Sequence, residues 1–351
     1  MARKDALAGV DGRDLLSKGA PLPENITVGG ATLPFETIFD DFARSEWGQR
    51  LKASMRYERY NLGNLTLEEW ENLLGPDVNN LEHLLLTLNM TREFLVSCAD
   101  FVAAHPFQSP TTDVSVADPA MLYFHCEEID FTTDDAQRLM FAAVTHDFGE
   151  AITGDISYDQ KMAGADAIEI SAINAVLKGL YGEGANLDLL LFAQDVTDNV
   201  SFSKATKLGR AFNAIERLGY LRTGLAARRL TALYAGDLAE RLGRQDVHTF
   251  RRVKQGLDQL AQNVLLNQIP TLIQYSEVYP PVADFLRQEA AEITDAFQRY
   301  GEISEAILQL YKEDERENYR QKFNAAKEAW EIHLERAMPQ LLTEFAASRT
   351  S

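Results

Sequence analysis

The chain is poor in cysteine, in long apolar runs and in positive charge. Its two cysteines, Cys98 and Cys126, form neither a CxxC pair nor a disulfide framework, so both read as reduced thiols, one or both filling core space. No stretch approaches the ~18 uninterrupted apolar residues of a membrane-spanning helix. The start, Met1-Ala2-Arg3-Lys4-Asp5, is basic but leads into no continuous apolar segment of the kind a signal peptide needs. These absences predict a soluble, cytoplasmic protein with no membrane partner. Lys and Arg number 34 against 53 Asp and Glu, a formal net charge of -19. Such a field opposes binding to long nucleic acid or to an anionic membrane. It leaves room for a small phosphorylated substrate wherever a metal or a local basic patch reverses the sign. Strand-like alternation of β-branched residues is scarce, and neither an internal repeat nor a low-complexity tract is present.

What is there is helical patterning. Residues 1 to about 35 are rich in Gly and Pro and read as an irregular arm, with at most a short strand near Ile26-Thr27-Val28. Gly29-Gly30 reads as a turn, because the spacing and the Lys-Ser/Thr of a phosphate loop do not follow. From Phe35 onward, Phe35, Ile38, Phe39 and Phe42 recur at helical spacing. Thr66-Leu67-Glu68-Glu69 has the form of a capping box opening a short helix that Gly75-Pro76 stops. A long helix is predicted from Leu84 to Ala104. Another opens at Thr132-Thr133-Asp134-Asp135 and is expected to carry Leu139, Ala142, Ala143, His146, Asp147 and Glu150 in one run. Residues 166–181, Leu187–Ala193 and Lys204–Leu221 read as further helices. Beyond about 228 the chain is predicted helical to its end, broken at Pro270 and Pro280-Pro281. The fold class is all-α.

The chemistry concentrates in Thr145-His146-Asp147-Phe148-Gly149-Glu150-Ala151-Ile152-Thr153-Gly154-Asp155. Residues three and four apart share a helix face, which sets Glu150 beside His146 and Asp147. Gly154 then ends the helix and lets Asp155 turn back. An imidazole and three carboxylates at one helix end suit a metal or acid/base site. One helix face cannot surround an ion, so further ligands must come from other helices. His83 opens a helix after an Asn/Glu-rich turn, and Glu216 is the best-placed later carboxylate, with Asp195 and Asp198 as its competitors.

This pattern resembles the HD-domain superfamily of metal-dependent phosphohydrolases, whose ligands are a His, a His-Asp pair and a distant Asp on separate helices. Leu81-Glu82-His83 is similar to the first motif, and His146-Asp147 to the signature pair. Glu216, in Ala-Ile-Glu-Arg-Leu-Gly-Tyr-Leu, stands where the family has Asp. His-Asp-x-x-Glu-x-x-x-Gly-Asp is closest to the bacterial 5'-deoxynucleotidases. The resemblance spans about residues 45–230 and implies an HD helical bundle there. It leaves 1–44 as an N-terminal arm with the first helix, and 231–351 as an additional helical region.

By the same resemblance, His83, His146, Asp147 and Glu216 would hold one divalent ion (Mn, Co, Mg, Zn or Fe). Glu150 would activate the attacking water, and Asp155 would lie beside the sugar and leaving oxygen. The Arg-Trp pair that deoxynucleotidases place before the first His has only Arg56-Tyr57 and Arg59-Tyr60 as counterparts. The basic stretch from Lys204 to Arg229 supplies phosphate-binding candidates, foremost Lys204 and Lys207. Members of the family that carry two metals need additional histidines after the His-Asp pair. Here the next is His248, beyond Glu216, which favours one metal.

The expected activity is hydrolysis of a nucleotide, either a deoxynucleoside monophosphate or a triphosphate. A phosphodiesterase, and a binding or regulatory module with a degenerate metal site, are the alternatives. The helices of 231–351 offer a lid, a partner surface or a contact for a homo-oligomer.

Overall fold

The computed structural model describes residues 14–105, 127–154, 165–182, 187–243, 246–302, 308 and 313–337. Two strands, β1 (Asn25–Val28) and β2 (Ala31–Pro34), form an antiparallel hairpin. The rest is helical: α1 (Phe35–Arg44), α2 (Glu46–Lys52), α3 (Leu67–Leu74), α4 (Asn80–Ala104) and α5 (Thr133–Thr145). Then come α6 (Glu150–Thr153), α7 (Ala165–Tyr181), α8 (Leu187–Val196), α9 (Lys207–Thr231) and α10 (Ala235–Leu242). The last are α11 (Val247–Ser276), α12 (Pro280–Gln288), α13 (Ala290–Glu302) and α14 (Glu313–Ala337). The protein is all-α. Among the described residues, no helix is long and apolar enough to cross a membrane.

The chain divides into two compact units, each assembled from separate stretches. The first comprises residues 1–54, 80–215 and 278–281; the second comprises 55–79, 216–277 and 282–351.

In the first unit, α5 is the central element. Met140, Phe141, Ala142, Ala143 and Val144 are all fully buried, on every face of the helix. A helix that is apolar all round must be enclosed, and α5 touches α1, α4, α8 and β1. Its start is fixed by a reciprocal cap, in which Thr132 Oγ1 accepts from the Asp135 N–H and the Asp135 carboxylate accepts from the Thr132 N–H. The core thus delivers the C-terminus of α5, and His146 with it, to one fixed point. The hairpin extends the expected single short strand to two. Its turn residues Gly29 and Gly30 have φ of 58° and 79°, which glycine adopts without steric cost.

In the second unit, the capping box at Thr66 and Glu69 is present as the sequence predicts. Behind it, Trp70 is fully buried and its Nε1–H donates to the Arg56 carbonyl at 3.2 Å. The core helix is α11, which touches α10, α14 and the 3-10 turn Glu58–Tyr60. Pro270 does not break the helix, contrary to the sequence expectation: α11 runs through it to Ser276. An interior proline costs a helix about 3 kcal/mol. Burial offsets that cost, because Ile269 and Leu272 flank it and are both fully enclosed. Pro280 and Pro281 instead occupy the first turn of α12, where a missing N–H is harmless.

Candidate metal centre

Among the described residues, His83, His146 and Asp147 offer ligand atoms that all lie within 4.8 Å of one another. His83 stands in the first turn of α4, and His146 is the C-terminal cap of α5. Both imidazoles are buried, and Asp147 is half-buried. Asp147 Oδ2 is 3.2 Å from His146 Nε2 and 3.7 Å from His83 Nε2. The two imidazole rings meet edge to face at 5.3 Å, and Phe212 packs edge-on against His146 at 5.4 Å.

The tautomer of His146 follows from its backbone partner. Nδ1–H donates to the Ala143 carbonyl at 3.1 Å, so in the neutral ring the lone pair is on Nε2, 3.2 Å from the Asp147 carboxylate. A lone pair facing an anion is repulsive until a cation lies between them. Ligands bonded at about 2.1 Å to one ion lie roughly 3 to 3.5 Å apart, close to the spacings here. Two imidazole nitrogens and a carboxylate oxygen are a donor set for Zn, Mn, Fe or Co. The residues present fit a divalent ion.

The segment after His146 departs from the predicted single helix. Helix α5 ends at Thr145, and the chain turns through His146–Gly149 before α6 begins at Glu150. Tight turns link Phe148 N–H to the Thr145 carbonyl (3.1 Å) and Glu150 N–H to the Asp147 carbonyl (3.0 Å). Packing dictates the turn. Phe148 is fully buried and stacks on Phe42, with ring centroids 3.7 Å apart. Gly149 lies against α7 so closely that a Cβ would come within 2.8 Å of the Glu169 carbonyl oxygen and 3.1 Å of Ile173 Cγ1. Gly149→Ala is therefore expected to cost about 1–3 kcal/mol, the usual penalty of overpacking. A lowered midpoint in denaturant titration is the check; an unchanged midpoint would mean that α7 yields at no cost.

Gly154 ends α6 as the sequence predicts, with φ of 78° and its N–H bonded to the Glu150 carbonyl at 2.8 Å. Glu150 itself is half-buried at the start of α6 and stands outside the three-residue cluster. Asp155 lies outside the described residues, as does Cys126. Cys98 is a buried core thiol, and burial pushes its pKa up, away from the reactive thiolate.

The remaining candidates distribute as follows. Asp195 and Asp198 are both exposed, and Asp195 pairs with Arg138. Glu216 is half-buried on α9, in the part that belongs to the second unit. Arg59 is exposed on the turn Glu58–Tyr60, its guanidinium 4.6 Å from the Tyr60 ring centroid. Lys204 is exposed. Lys207 Nζ donates to the Asp130 carbonyl at 2.8 Å and lies 3.6 Å from Asp135, so it braces the start of α5.

Much of the basic stretch is likewise spent on ion pairs and hydrogen bonds, each within one unit. Arg210 pairs with Glu128, Arg217 donates to Gln268, Arg228 pairs with Asp295, and Arg229 pairs with Glu289 and Glu292. An excess of acid over base makes such pairing the expected fate of a cation. One polar neighbour of the cluster escaped the sequence reading: Thr87, whose Oγ1 is 3.3 Å from His83 Nε2. Its signal is a hydroxyl four residues after a candidate ligand histidine, amid the leucines Leu84, Leu85, Leu86 and Leu88.

Comparison of the chain with protein-family models, with curated proteins and with solved structures finds no match.

Proposed function

We propose that this protein is a metal-dependent phosphohydrolase of HD type that acts on nucleotides, with a deoxynucleoside mono- or triphosphate as substrate. One observation carries the reading: two buried imidazoles, one on α4 and one at the end of α5, converge with Asp147 so that their ligand atoms lie within 4.8 Å of one another. The order of those residues, a lone His followed by His-Asp, is that of the HD superfamily. A divalent ion bound there supplies Lewis acidity toward a phosphoryl oxygen and toward water.

His83, His146 and Asp147 would hold it. The Nδ1–H bond to Ala143 keeps the His146 ring in the orientation and tautomer that donate from Nε2. Glu150 would take the proton of the attacking water, a role a half-buried carboxylate next to the ligand turn can fill.

The test is a screen of deoxy- and ribonucleotides with Mn, Co, Mg, Zn and Fe supplied in turn, resolving phosphate, pyrophosphate and triphosphate as products. Turnover of deoxynucleotides that a chelator abolishes is the expected result. Absence of any product from the metal-loaded protein would overturn the reading.

A further inference from the structure

Thr87 sits one helical turn beyond His83 on α4 and is almost fully buried, at 1% exposure. Buried threonines in helices ordinarily satisfy their hydroxyl on the carbonyl four residues back. Three others in the same unit do so at 2.8 Å: Thr91 on Thr87, Thr145 on Phe141 and Thr197 on Ala193. Thr87 does not. Its hydroxyl lies instead 3.3 Å from His83 Nε2, the same atom that faces Asp147 Oδ2 at 3.7 Å.

We propose that Thr87 is a positioning residue that sets the affinity of this centre for its ion, by holding the lone pair the ion must take. The proposal rests on the metal-centre reading above. In the Nδ1–H tautomer, the one that leaves Nε2 open to a metal, the Nε2 lone pair accepts from the Thr87 hydroxyl until an ion takes it. Hydroxyl and ion then compete for one lone pair. The bond keeps the imidazole aimed at Asp147, and the hydroxyl is released when the ion takes the nitrogen. Its fallback is the His83 carbonyl, the arrangement already used by Thr91, Thr145 and Thr197. That carbonyl is an acceptor of the helix itself, so removing the hydroxyl costs the metal-loaded protein little. In metal-stripped protein, the same removal takes away a buried hydrogen bond that Nε2 makes. The side chain thus weighs on one state only.

Thr87→Val, which keeps the shape and removes the hydroxyl, is expected to bind Mn2+ roughly fivefold more tightly, the worth of about one neutral hydrogen bond. Calorimetric titration of the metal-stripped protein measures this. Thr87→Ser should match the unmodified protein, and Thr87→Ala should shift in the direction of Val. A second readout is thermal: Thr87→Val should lower Tm when stripped and leave it unchanged when saturated with Mn2+. Equal or weaker Mn2+ binding by both Val and Ala variants overturns the proposal, and the weaker case would make the hydroxyl a ligand. If the unmodified protein takes up no divalent ion at all, the metal centre itself fails, and Thr87's role with it. Binding by the unmodified protein without a gain in the variants sinks Thr87 alone.

Discussion

Asp147→Asn is expected to abolish binding of a divalent ion at the candidate centre and, on the proposed function, to reduce nucleotide turnover to background. The substitution preserves shape and removes one charge, from the residue whose Oδ2 stands 3.2 Å from His146 Nε2 and 3.7 Å from His83 Nε2. Two neutral imidazoles alone cannot balance a dication, so the carboxylate supplies the first compensating charge. Loss of a residue that merely orients a ligand already weakens metal binding about 10–100-fold; loss of a charged ligand should exceed that. Folding should survive, because Phe148 on Phe42 and Gly149 on α7 hold the turn independently of the charge. Metal content by elemental analysis and product release under saturating Mn2+ are the measurements. Stoichiometric metal with normal turnover in the variant would remove Asp147 from the centre.

Glu150→Gln should behave in the opposite way toward metal. It is expected to retain the ion while slowing turnover by about 10²- to 10⁴-fold, the range for loss of a positioned general base. The turn through His146–Gly149 is what separates the two outcomes. It sets Glu150 at the head of a separate short helix, outside the cluster of ligand atoms. Metal content and kcat measured on the same preparation check this. Parallel loss of both would make Glu150 a ligand, and loss of neither would leave the proton to another group.

Much of this protein is legible in its sequence because its signals are local. The Thr66–Glu69 box and the polar start at Thr132 cap helices through contacts only three residues apart. Gly154 and Gly182 end helices at positive φ, a property of the residue itself. The His83 motif lies on α4, and the His146-Asp147 pair on the turn that follows α5. The sequence also predicts one unbroken helix from Thr132 to Glu150, and here local periodicity misleads. The break is imposed by Phe42 and by the Glu169 carbonyl, which approach from other helices. Pro270 misleads in the same way, since the burial that carries α11 through it comes from neighbours distant in the chain.

The sequence by itself determined the all-α class, the helix ends set by local caps and glycines, and the residue types that meet at the candidate metal centre. Each depends on backbone chemistry within about one helical turn, or on side chains whose chemistry is their own. Only the tertiary structure decided which stretches share a unit, as where Thr223 donates to Asp77 and Asn263 to Tyr60 across long chain separations. It alone decided that α5 is enclosed, that the chain turns before Glu150, and that the Thr87 hydroxyl lies beside His83 Nε2. Those outcomes depend on which surfaces exclude water together, and on which donor lies nearest a buried lone pair. Neither is encoded at any single position.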